Sequence, residues 1–166
     1  MDLSRVEADV LALGDALRRR GWHMATAESC TGGLIAAACT AVAGSSDWFE
    51  RGFVTYSNAA KTEMLGVDAA LVASQGAVSE AVARAMAVGA LQRAGVELAV
   101  AVTGIAGPGG ATPGKPVGTV WVALAVRGAT GDAQVQAERL QLGGDRAAVR
   151  EQTVQLALRR LREAAS

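Results

Sequence analysis

The chain has 166 residues, 51% of them hydrophobic and 19% charged, and its 16 basic and 16 acidic side chains give a formal net charge of zero. That composition excludes a disordered tail, and the length suits one domain, residues 1–166, whose core needs neither disulfides nor a structural metal. Two cysteines, Cys30 and Cys39, and one histidine, His23, are too few for a usual His/Cys metal cluster, and the even charge balance argues against a nucleic-acid partner.

Residues 2–20 carry Val6, Val10, Leu11, Leu13 and Leu17 among charges, which predicts an amphipathic helix ended by Gly21. Arg18-Arg19-Arg20 in this helix, and Arg159-Arg160 near the other end of the chain, read as solvated faces. Trp22 to Glu28 reads as a strand with His23 buried in it, and Thr31-Gly32-Gly33 leads into a small apolar helix, Leu34 to Val42. Gly44 to Asp47 is a turn by composition, and Gly52 to Tyr56 is a short strand. Asn58 is placed to cap a helix carrying Lys61, Met64 and Leu65 before Gly66 stops it. Val67 to Ala77 reads as a connection with at most one helical turn, and Ser79-Glu80 opens a long helix that ends at Gly95. Val96 to Val102 is, apart from Glu97, the continuous apolar run of a central strand. It feeds the only Pro/Gly-dense stretch, Thr103 to Pro116, and a loop that long in a compact domain is usually functional. Gly118 to Arg127 and Ala133 to Gln141 predict a hairpin across Gly128 to Asp132, followed by a last helix, Asp145 to Glu163. Strands alternating with helices imply a three-layer α/β/α sandwich around a mixed five-stranded sheet. No apolar run reaches membrane-span length and Met1 to Glu7 lacks a signal-peptide pattern, so a cytoplasmic protein is expected.

In open α/β sheets ligands bind beyond the carboxyl ends of the parallel strands. Three such ends carry polar or glycine-rich sequence: Glu28 to Gly33, Tyr56-Ser57-Asn58, and Thr103 to Gly107. In the first, Ser29, Thr31, Gly32 and Gly33 before a helix resemble a cradle for phosphate, although a helix cap with close helix–sheet packing explains the same residues. Cys30, at that helix start, is a weaker candidate whose thiol pKa would be lowered there. Gly109 to Lys115 fits G-x-x-x-x-G-K, but Pro116 stands where a phosphate loop needs Ser or Thr and a strand follows instead of a helix, which excludes an NTPase. Lys61 breaks a local rule, because a cation in the first turn opposes the helix macrodipole. A lysine destabilised as an ammonium can act as base for a serine nucleophile. Ser29, Ser45, Ser46 and Ser57 are the candidates, and neither S-x-x-K nor G-x-S-x-G is present to choose among them.

Taken together, Ala27 to Gly33, Ala43 to Ser46, Gly52 to Lys61, Gly76 to Glu80, Thr103 to Pro108 and Lys115 to Val120 resemble the CinA C-terminal domain family, over about Met24 to Gln141. The resemblance implies the stand-alone form of a nicotinamide-nucleotide amidase that hydrolyses the carboxamide of nicotinamide mononucleotide to nicotinate mononucleotide and ammonia in pyridine-nucleotide recycling. It implies no cofactor, the same three-layer fold, and a homodimer or higher homo-oligomer. By resemblance the catalytic serine is Ser46 and its base Lys61, with one strand bringing both ends of the dyad to one pocket. Tyr56 and Thr103 match further catalytic positions; Ser29, Thr31, Gly32, Gly33, Gly104 and Arg146 match substrate-binding ones, with Arg150 as the alternative arginine. A second reading from the family name is a non-catalytic nucleotide-binding or regulatory module tied to competence or DNA damage. It predicts binding without turnover.

Overall fold

The computed structural model describes residues 2–166. Helix α1, Glu7–Arg20, follows a 3-10 turn at Leu3–Val6; then come β1 Met24–Glu28, α2 Leu34–Thr40, β2 Phe49–Val54, α3 Asn58–Leu65, α4 Ala69–Gln75 and α5 Glu80–Ala94. The chain closes with β3 Leu98–Gly104, β4 Thr119–Arg127, β5 Ala133–Gln141 and α6 Arg146–Ala165. The five strands order as β2-β1-β3-β4-β5; β1 is parallel to both β2 and β3, and the last three strands are antiparallel. The mixed α/β sandwich expected from the alternating elements is the fold found.

The two faces of the sheet differ in side-chain size, and this sets the layers. On one face Met24, Leu98, Val100, Val102, Val122 and Leu124 meet α1, α2 and α6; on the other Ala25, Ala27, Ala99, Ala101, Ala123 and Ala125 meet α3, α4 and α5. Strand side chains alternate between faces, so a large-small alternation along β1, β3 and β4 gives one deep interface and one shallow one. Small residues line α5 as well. Gly89 lets α5 touch the end of α3, since a Cβ there would lie 2.2 Å from the Leu65 carbonyl oxygen.

Several boundaries moved. β2 begins at Phe49, three residues before the expected start, because fully buried Trp48 anchors that end against Gly14 and its carbonyl accepts the Met24 N–H at 2.8 Å. His23 lies outside β1 and is exposed; its N–H donates to Glu97 Oε2 at 2.8 Å. Ser57, not Asn58, caps α3, because Ser57 has the extended backbone of a cap (φ −86°, ψ 162°) and its Oγ accepts the Ala60 N–H at 3.0 Å. The stretch after Gly66 holds a full helix, α4, capped by Asp68. None of the described helices is long and apolar enough to cross a membrane.

Candidate active site

β1 ends in a buried carboxylate. Glu28 is 1% exposed, and its side chain turns under the start of α2. Oε2 accepts from Thr31 Oγ1 (2.6 Å), Gly33 N (3.1 Å) and Ile35 N (3.0 Å), while Oε1 accepts from Ala36 N (2.8 Å) and Thr26 Oγ1 (3.3 Å). The first N–H groups of a helix lack intrahelical partners, and the Gly33 cap has no side chain to offer them. Glu28 supplies that acceptor, and its charge suits the positive end of the helix dipole. The expected phosphate cradle is therefore filled by the chain's own carboxylate. Thr31, fully buried, gives its hydroxyl to Glu28 and not to a ligand. Gly32 and Gly33 are needed for their backbone, with φ of +61° and +99°.

With Glu28 drawn to one face, alternation sends Ser29 to the other, where α3 lies. There Lys61 is 1% exposed, and its Nζ contacts Thr55 O at 2.8 Å, Ser29 Oγ at 3.1 Å and Ser57 O at 3.5 Å. Helical side chains lean toward the helix N-terminus. That is how a residue in the fourth helical position reaches carbonyls that precede the helix. Burial pushes the Lys61 ammonium below the ordinary lysine value.

Ser46 is not part of this cluster. It is exposed in the 3-10 turn Ser45–Asp47, which leads into the amino end of β2 and is tied to α1 by Arg18, whose Nη2 donates to Gly44 O at 2.9 Å. Lys61 follows the carboxyl end of β2. Because β1 and β2 are parallel, with Glu28 beside Val54 and Met24 beside Phe49, the strand holds Ser46 and Lys61 at opposite edges of the sheet, on the order of 16 Å apart. The serine that meets Lys61 is Ser29.

The other expected residues divide. Arg146 joins Tyr56 to the glycine-rich loop: its Nη2 donates to Tyr56 Oη at 2.9 Å and its Nη1 to Gly107 O at 2.8 Å. Arg150 instead holds the turn after Ser29, with Nε to Cys30 O (3.2 Å) and Nη2 to Thr31 O (3.0 Å). Thr103 lies beside Ser29, since Glu28 pairs with Val102, but its hydroxyl donates to Ala77 O at 2.9 Å and braces the segment before α5. Gly104 is a packing glycine: a Cβ would meet Val120 Cγ2 at 2.6 Å. The Cys30 thiol is pushed up to about 12 by burial, the reverse of activation. Lys115 of the G-x-x-x-x-G-K segment donates to Gln75 O at 3.1 Å. Among the described residues no cluster of His, Cys, Asp and Glu could hold a metal ion. Glu28 and Thr55 carry no motif that marks them in the sequence. For Glu28 the available signal was a carboxylate ending a buried strand just before a helix start that has only glycines to cap it.

Residues 7–165 match the CinA C-terminal domain. A nicotinamide-nucleotide amidohydrolase PncC of Enterobacter agglomerans is 51% identical over 158 residues, covering 95% of this chain and 94% of that protein. A CinA-like protein of Citrifermentans bemidjiense is 58% identical over 154 residues, which is 93% of this chain but 36% of that longer protein. The crystal structure of a competence-damaged protein (CinA) superfamily protein from Klebsiella pneumoniae superposes with a TM-score of 0.90 at 41% identity, covering 96% of this chain and 97% of that one. With the match running almost from end to end and the same fold on a solved relative, the chain belongs to the CinA C-terminal domain family.

Proposed function

We propose that this protein hydrolyses the carboxamide of nicotinamide mononucleotide to nicotinate mononucleotide and ammonia, with Ser29 as nucleophile and Lys61 as its base. The observation that carries the mechanism is the buried Lys61 Nζ, 3.1 Å from Ser29 Oγ. The activity is supported by the likeness to the nicotinamide-nucleotide amidohydrolase, which extends over nearly all of both chains.

A neutral Lys61 amine has two N–H groups and one lone pair. The carbonyls of Thr55 and Ser57 accept the two N–H groups, which aims the lone pair at the Ser29 hydroxyl. Lys61 takes that proton as Oγ bonds to the carboxamide carbon; the ammonium then gives it to the amide nitrogen, the C–N bond breaks and ammonia leaves. Water resolves the ester with Lys61 again as base, and Ser29 recovers its proton. The developing oxyanion is met by backbone donors of the turn after Ser29. Arg146 with Tyr56 is the cationic edge that takes the substrate phosphate, since the α2 start is filled by Glu28. The enzyme works in the cytoplasm as a homodimer or higher homo-oligomer, a reading supported by the exposed apolar side chains of Val54, Tyr56 and Met64 around one end of the sheet edge.

Ammonia release from nicotinamide mononucleotide tests the assignment. Ser29→Ala and Lys61→Met should each lose about 10²–10⁴-fold in kcat, while Ser46→Ala stays within about threefold, as expected of an exposed side chain outside the site. Activity surviving in Ser29→Ala and vanishing in Ser46→Ala would sink the dyad. A chain that binds the nucleotide with no turnover would favour the regulatory module.

A further inference from the structure

Arg150 stands near the start of α6, in the layer that packs on the Met24, Val100 and Val102 face of the sheet. From there it reaches the turn that follows Ser29: Nε donates to Cys30 O at 3.2 Å and Nη2 to Thr31 O at 3.0 Å. The guanidinium lies so close to the turn that a Cβ on Gly32 would be 3.7 Å from Nη2. Among the described residues Arg150 forms no ion pair, and these two carbonyls are what its charge is engaged with. Holding two successive carbonyls fixes two successive peptide planes. The peptides of this turn are trans, and a trans peptide directs its N–H opposite to its C=O. Cys30 O faces Arg150 and the α6 layer, so the Thr31 N–H of the same peptide points away from that layer. That is the direction of the α3 layer, where Ser29 Oγ meets Lys61 Nζ. The next N–H, that of Gly32, closes the turn on Ser29 O at 3.1 Å. A donor on the carbonyl also strengthens the N–H of the same amide, because hydrogen bonds in a chain polarise one another.

Resting on the Ser29–Lys61 reading, we propose that Arg150 is a positioning residue for the amide hydrolysis: it aims the Thr31 N–H at the oxyanion formed when Ser29 attacks the carboxamide, and polarises that donor. Arg150 itself touches no substrate. The Thr31 N–H binds the negative oxygen of the tetrahedral intermediate more strongly than the neutral carboxamide oxygen. Misaiming it therefore raises the barrier and leaves substrate binding almost unchanged. Arg146, on the edge that takes the substrate phosphate, should behave the other way, with its loss showing in KM. The two arginines of α6 thus serve opposite ends of one reaction, one through the substrate and one through the backbone.

Arg150→Met removes both hydrogen bonds and keeps much of the side chain's bulk; Arg150→Lys keeps the cation and can hold one carbonyl. Ammonia release from nicotinamide mononucleotide should show kcat lowered roughly 10–100-fold in Arg150→Met with KM within about threefold, since removing an oxyanion donor outright costs about 10²–10³-fold. Arg150→Lys should fall between, roughly 3–10-fold below wild type at the same KM. The acid limb of kcat/KM, set by Lys61, should stay at its wild-type pH in both variants, because the Ser29–Lys61 contact is left in place. A general loosening of the site would move that limb together with kcat. If Arg150→Met does not fold, Arg150→Lys decides by the same split between kcat and KM. Wild-type kcat in the variants, a raised KM at unchanged kcat, or an acid limb that moves in step with kcat overturns this inference alone. No ammonia from the wild-type protein, or full activity in Ser29→Ala, overturns the Ser29 reading and this inference with it.

Discussion

Replacing Glu28 by glutamine tests how much of the site depends on a side chain that touches no substrate. The carboxylate accepts five hydrogen bonds, three on Oε2 and two on Oε1. A glutamine can keep its oxygen in the Oε2 position, where Thr31, Gly33 and Ile35 donate. Its NH2 then faces the Ala36 N–H and the Thr26 hydroxyl. Thr26 can rotate to accept, but the Ala36 N–H is left opposite another donor. Losing one hydrogen bond to a charged acceptor costs about 1.5–3 kcal/mol, and loss of the charge at the helix start adds about 0.3–2 kcal/mol. The sum, about 2–5 kcal/mol, is a large part of the roughly 5–15 kcal/mol that holds a domain of this size together. The protein should stay folded at 25 °C, with its urea midpoint lowered and m unchanged. The turn after Ser29 is fixed through the same bonds, and a shift of about 1 Å in a nucleophile can cost 10²-fold. A fall in kcat of about 10–100-fold with little change in KM should therefore accompany the loss of stability. A Glu28→Gln protein within 0.5 kcal/mol of wild type (about a third of one hydrogen bond to charge) would refute the claim that this carboxylate caps α2.

Lys61 should set the acid limb of kcat/KM, with rate rising as the ammonium loses its proton at a pH below the ordinary lysine value of 10.5, and with that limb absent from Lys61→Met. Between the folded value and 10.5 the unfolded chain holds the proton that the folded chain has released, so wild-type stability should rise with pH in that window relative to Lys61→Met; parallel stability curves would contradict it. Gly89→Ala should destabilise by about 1–3 kcal/mol despite alanine's better helix propensity, because its Cβ would fall 2.2 Å from the Leu65 carbonyl oxygen; unfolding in urea would show it, and a stabilised variant would deny the close approach of α5 to α3.

The fold was legible because its signals are local and repeated. The apolar run of β3, the alternation of β5 and the glycines after α1, α3 and α5 each mark an element without reference to the others. The end of the sheet where Ser29, Lys61 and Thr103 gather was legible too, since parallel strands carry their loops to one side. The choice of serine was not, because it depends on where β2 starts. A strand over Gly52 to Tyr56 leaves Asp47 to Arg51 free to fold back and bring Ser46 to Lys61. A strand from Phe49, pinned by Trp48, uses up that slack and sends Ser46 to the far edge. The anchor is a tertiary contact between Trp48 and Gly14 on α1, and no window of sequence contains both.

Two helix starts meet at this edge of the sheet, and their charges are opposite. At α2 a carboxylate sits where the helix dipole favours it, buried under five donors, and the result is a fixed turn. At α3 a lysine sits where the dipole and burial both disfavour its charge. The carbonyls of Thr55 and Ser57 and the Ser29 hydroxyl are the polar partners of Nζ, and all three can be satisfied by a neutral amine. A lysine held by a carboxylate at this place would stay an ammonium and could not accept a proton. The structure puts the Glu28 carboxylate, one residue before Ser29, on the other face of the sheet and engages it with the first turn of α2. Glu28 and Lys61 thus lie close along the chain's topology but do not pair, because the alternation of β1 turns Glu28 one way and Ser29 the other. That separation keeps Glu28 from pairing with Lys61, a condition that the proposed role of Lys61 as base for Ser29 requires.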